Sequence, residues 1–140
     1  MRKTTEELLK TLKHTANITS YLSQEQDNLK TFPLHAYLDK MFAEKEISPS
    51  QCIRNSGLDR TYCYQIFSGR KLPSRDKVLA LCFGLSLDVE DTQLLLKSTG
   101  YTQLYPRNER DSIIIFALQR SASILEANEL LLDLGYEILQ

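Results

Sequence analysis

Ile47-Ser-Pro-Ser-Gln-Cys-Ile-Arg-Asn-Ser-Gly-Leu-Asp-Arg-Thr-Tyr-Cys-Tyr-Gln-Ile-Phe-Ser-Gly-Arg-Lys-Leu-Pro-Ser74 carries the punctuation that decides the fold. Ser48 is a good N-cap, Pro49 suits a first helical position, and Gln51 closes a capping box with Ser48. That helix must stop by Gly57, because glycine accepts the left-handed backbone of a helix end. Asp59 then caps a second helix, which runs to about Ser68 and ends at Gly69. Two short helices thus flank a turn of about three residues containing Gly, the helix-turn-helix pattern.

The helical reading extends both ways. Upstream, Leu34, Leu38, Met41 and Phe42 recur at i, i+4, i+7 and i+8, one face of an amphipathic helix that begins near Pro33. Thr4-Thr5-Glu6-Glu7 is a capping box that opens a short helix through about Lys13. Residues 15–30, polar and centred on Ser23-Gln24-Glu25-Gln26-Asp27-Asn28, read as a linker or a weak helix. Downstream, Ser74 starts a helix carrying Val78, Leu79, Cys82 and Leu85, and Asp88 caps another that ends at Gly100. Asn108 and Ser123 cap two more; Ser123 pairs with Glu126 in a capping box, and Gly135 terminates. The run Ile113-Ile114-Ile115-Phe116 has the composition of a buried strand, but its flanking caps and terminators favour helix. Leu95-Leu96-x-x-x-Gly100-Tyr101-x-x-Leu104 returns as Leu130-Leu131-x-x-x-Gly135-Tyr136-x-x-Leu139. On those matches alone the echo is two helices that end alike.

The net charge of −1 hides an asymmetry. Arg54 to Lys77 holds six Lys/Arg and two Asp, a net of +4, whereas Val78 to Gln140 holds four Lys/Arg and nine Asp/Glu, a net of −5. An anionic partner meets the local field, so a DNA-facing surface belongs to the first stretch and not the second. Cys52, Cys63 and Cys82 form no Cys-x-x-Cys and sit among apolar neighbours, as reduced core thiols of a cytosolic protein do. The N-terminus leads into no apolar signal core, and the longest apolar run, Ile113 to Leu118, is far below a membrane span. These features predict a cytoplasmic chain without membrane contact.

As a set, Ile47-Ser48, Gly57, Cys63 and Gly69-Arg70-Lys71-Leu72-Pro73-Ser74 resemble the phage repressor/Cro family, the bacterial regulators of xenobiotic-response-element type. The following helix, Val78-Leu-Ala-Leu-Cys-Phe-Gly-Leu85, fits the same pattern, and with the first helix the resemblance covers about half of the chain. It implies a five-helix DNA-binding domain and, with the capped helices read on either side of that domain, gives the expectation of an all-α chain with three parts. Residues 1–30 are an N-terminal helix and linker, 31–104 a five-helix helix-turn-helix domain that binds double-stranded DNA, and 105–140 a two-helix extension suited to dimerisation. It also implies that the helix over 59–68 enters a major groove. Arg60, Thr61 and Gln65 then face base edges; Arg60 suits guanine and Gln65 adenine. Tyr64 shares that face, four residues after Arg60, and Ser68, Arg70 and Lys71 hold backbone phosphates. A single short recognition helix buries little surface, so a homodimer is expected.

The sequence departs from the family at Pro49, where many members place Gln, and at Asp59 and Phe67. Tyr62, Tyr64 and Phe67 make an unusually aromatic recognition helix. Exposed aromatics suit protein contacts, so the alternative is an adaptor that keeps the fold and binds a protein partner. Enzymatic readings are poor. His14 and His35 are isolated, and no Gly-rich phosphate loop or Gly-x-Ser-x-Gly elbow is present. The expectation is no catalysis, no metal and no cofactor.

Overall fold

The computed structural model describes residues 3–24 and 31–140. The described residues form nine α-helices and no strand, so the chain is all-α. It divides into two compact units, Met1–Thr31 and Phe32–Gln140.

The first unit holds α1 (Thr5–Lys13) and α2 (Ile18–Gln24). Thr4 and Glu7 close the expected capping box on α1. The linker alternative for residues 15–30 does not hold over α2, where the Asn17 carboxamide oxygen accepts the N–H groups of Thr19 and Ser20 and starts the helix. Residues 25–30 of that stretch lie outside the described residues.

The second unit holds α3 (Leu34–Lys45), α4 (Pro49–Ser56), α5 (Arg60–Phe67), α6 (Arg75–Gly84), α7 (Val89–Ser98), α8 (Glu109–Gln119) and α9 (Ile124–Asp133). Ser48, Asp59, Ser74, Asp88, Asn108 and Ser123 each cap the helix that follows them. The run Ile113–Phe116 is helical within α8. The central element is α6, whose residues from Val78 to Gly84 are all buried. It packs on α4, α7 and α9, while α3 covers α5 and α8 packs on α7 and α9. Gly84 makes the α4–α6 approach: a Cβ there would lie 2.5 Å from the Cys52 carbonyl oxygen.

Residues 75–104 and 110–139 are two copies of one α-hairpin, each matched position lying thirty-five residues on (75 to 110). The Gln93 carboxamide donates to the Leu104 carbonyl at 2.8 Å and accepts the Leu104 N–H at 2.7 Å. Asn128 makes the same pair of bonds with Leu139, at 3.2 and 2.8 Å. Ser86 and Ser121 both adopt left-handed φ, 54° and 55°. Tyr101 and Tyr136 each accompany a left-handed glycine and send their hydroxyl back to the start of their own hairpin, to the Pro73 carbonyl and the Glu109 carboxylate. The sequence echo is therefore the visible part of a structural duplication. The two hairpins also exchange ion pairs. Arg75 binds Asp111 through two bonds, at 3.1 and 2.9 Å, and Arg110 binds Asp76 through two, at 2.8 and 3.0 Å. Bidentate guanidinium–carboxylate pairs are the strong class, and these are partly shielded from water. The boundary at 104/105 thus falls between two repeats inside one compact unit.

Candidate nucleic-acid interface

The α4–α5 pair is joined by Gly57, Leu58 and Asp59. Gly57 ends α4 at φ 71°, a conformation costly for residues with a Cβ, and the chain can turn at once. Asp59 restarts it, its carboxylate accepting the Tyr62 N–H at 2.9 Å. That carboxylate is engaged by the first turn of α5, where a negative charge is favourable.

Cys63 and Ile66 anchor α5 in the core. The opposite face carries Arg60, Thr61 and Tyr64, all exposed, and Gln65, which is half-buried. The structure brings Arg60 and Tyr64 together, with the guanidinium 5.4 Å from the ring centroid, within cation–π range. Tyr64 meets Phe67 edge to face at 6.0 Å, and Phe67 meets Phe42 of α3 at 5.1 Å. This line of rings runs from half-buried Phe42 out to the Arg60 head.

At the C-terminal end of α5 the chain folds back on the Gln65 carbonyl. That oxygen accepts the Ser68 hydroxyl at 3.1 Å and the N–H groups of Arg70 and Lys71 at 2.9 and 3.2 Å. The side chains of Arg70 and Lys71 are left exposed beside the helix end, whereas the Ser68 hydroxyl donates within the helix. The seven expected site residues therefore lie on one helix and the turn that follows it.

Two further cations of the basic stretch lie outside the seven expected residues. Arg54 is exposed on the last turn of α4, and Lys77 of α6 lies 5.3 Å from the centre of the Tyr62 ring. Both fall in the basic stretch Arg54–Lys77, which is the signal that could have found them. The three cysteines are buried and unpaired. Burial pushes the thiols of Cys52 and Cys82 up to about 12, so they stay protonated and unreactive.

Among the described residues no group of three His, Cys, Asp or Glu side chains could hold a metal ion, and no helix is long and apolar enough to cross a membrane. No protein-family model, curated protein or solved structure matches the chain.

Proposed function

We propose that α4 and α5 form a helix-turn-helix of the repressor/Cro type, and that the protein is a cytoplasmic regulator that binds specific sequences in double-stranded DNA. The observation that carries this reading is the exposed Arg60–Thr61–Tyr64 face of α5, with Arg60 held against Tyr64 and with Arg70 and Lys71 beyond the helix end. In the proposed complex α5 lies in the major groove. Arg60 bonds guanine O6 and N7, Gln65 bonds adenine, and Thr61 and Tyr64 contact neighbouring base edges. Ser68, Arg70 and Lys71 grip phosphates and set the register. Regulation follows from occupying or recruiting at an operator, with no chemical step and no cofactor. Selection of bound duplexes from a random DNA pool at near-physiological salt tests this directly. A common site should emerge; recovery of unrelated sequences would end the proposal.

Dimerisation is part of the same proposal. Leu125 and Leu132 of α9 are 66% and 68% exposed, and they stand where the first hairpin has Glu90 and Lys97. The hairpin does not need leucine at these places, which supports a contact made there with a second copy.

A second reading has its own support. Tyr64 is 43% exposed and Leu72, just past α5, is 79% exposed. Apolar surface of this kind suits a protein partner, in which case α5 carries an adaptor surface. Retardation of duplex DNA by the wild type, weakened in Arg60→Ala and Lys71→Ala, favours DNA; a wild type that leaves duplex DNA unretarded and a co-purifying protein lost in Tyr64→Ala favour the adaptor.

A further inference from the structure

The two hairpins enclose a half-open cavity of about 560 Å³ at the end away from their exchanged ion pairs. That volume lies within the range of small-molecule sites. Its walls come in matched pairs, Phe83 with Leu118 and Ser86 with Ser121, closed on one side by Arg54 and Asn55 of α4 and on another by Ile124 and Leu125 of α9.

The polar groups around this apolar space include one obligate donor, the Arg54 guanidinium, beside a carboxamide and hydroxyls that can donate or accept. Arg54, Asn55, Ser86 and Ser121 have no side-chain hydrogen bond or ion pair among the described residues. The carboxylates of Asp88 and Glu126 also border the cavity, but they accept the N–H groups of Asp91 and Ser123 as helix caps. Both serines sit in left-handed backbone, where glycine would relieve strain, and both hairpins nevertheless keep the hydroxyl. A guanidinium, a carboxamide and two hydroxyls, all on exposed residues, border one volume lined by Phe83, Leu118, Ile124 and Leu125.

We propose that this cavity is a binding site for a small apolar carboxylic acid. Its hydrocarbon body packs between the hairpins, and its carboxylate takes the fork of Arg54, with the serine hydroxyls as further donors. The site is placed to bear on α5. A Cβ built on Gly57, in the turn that leads to α5, would lie 3.7 Å from the side chain of Ile124, a wall residue. The turn that leads to α5 thus borders the cavity wall at Ile124.

The test uses the full chain, labelled with nitrogen-15, titrated without DNA by 2-naphthoate and in parallel by its neutral amide. The proposal expects 2-naphthoate to move the amide signals of residues 86–88 and 121–126, with smaller shifts at 57–60. The neutral amide and the variant Arg54→Gln should each weaken binding at least tenfold. Ser121→Gly should raise the melting temperature yet weaken binding severalfold, a combination that damage to the fold does not give. Absence of shifts at millimolar 2-naphthoate, shifts centred elsewhere, or equal affinity for Arg54→Gln would each overturn the proposal. None of these outcomes depends on whether α5 binds DNA.

Discussion

Arg75 and Asp111 face each other through two hydrogen bonds, and Arg110 and Asp76, their counterparts thirty-five residues out of step, repeat the arrangement in reverse. Each hairpin gives its arginine to the other's aspartate. Each arginine also binds carbonyls at the end of its own hairpin: Thr102 and Gln103 for Arg75, Glu137 and Ile138 for Arg110. The start of α6, the start of α8 and both hairpin ends are thereby tied together, which fixes the second hairpin to the unit that carries α5.

Asp111→Asn should cost about 2–3 kcal/mol at neutral pH, because it leaves the Arg75 head partly buried without its counter-charge. The effect should fade in acid. Burial works against ionisation of Asp111, but the bonds from Arg75 and the Tyr105 N–H, with the charges of Arg75 and Arg110, outweigh it and hold the carboxyl below its usual range. A depressed folded value stabilises above the unfolded value of about 3.9 and loses that stabilisation as pH falls through the folded one. Urea melts of both proteins from pH 7 to pH 2.5 should therefore converge; a gap that is constant with pH would contradict the account.

Gly84→Ala should destabilise by about 1–3 kcal/mol, since its Cβ would meet backbone and not a flexible side chain. The equivalent residue in the second hairpin, Gln119, is exposed, and Gln119→Ala should change the melting temperature little. Equal effects of the two variants would remove the close α4–α6 approach from the explanation.

The three thiols should resist alkylation in the native protein. With Cys52 and Cys82 pushed up to about 12 by burial, iodoacetamide should label them only as fast as the second unit opens. Rapid labelling in the absence of denaturant would contradict their placement in the core.

Leu125→Glu combined with Leu132→Lys puts the first hairpin's own residues into the second. Sedimentation at micromolar concentration should give a dimer for the wild type and a folded monomer for the double variant. A monomeric wild type without DNA would remove α9 as a dimer contact.

The helices were legible because their signals are local. Ser48 with Gln51, Asp59, Ser123 with Glu126 and the terminating Gly57 act within one turn, so the sequence declares them wherever the rest of the chain lies. The exposed face of α5 was legible for the same reason, from helical spacing around Cys63 and Ile66. The duplication was not. Its matches, such as Arg75 with Arg110 and Gln93 with Asn128, are isolated polar residues that leave the hydrophobic period unchanged. They gain meaning only from bonds spanning eleven to thirty-six positions. The Arg54 cavity was hidden likewise, because separate stretches of chain supply its walls.

The central claim is that α5 reads base sequence, and the most direct measurement is the ratio of dissociation constants for a selected duplex and its scrambled version. The wild type should favour the selected duplex strongly, Arg60→Ala should lose about 1–3 kcal/mol of that preference at one base pair, and Lys71→Ala should weaken both duplexes alike and flatten the salt dependence. Equal binding of the two duplexes by the wild type would contradict the claim.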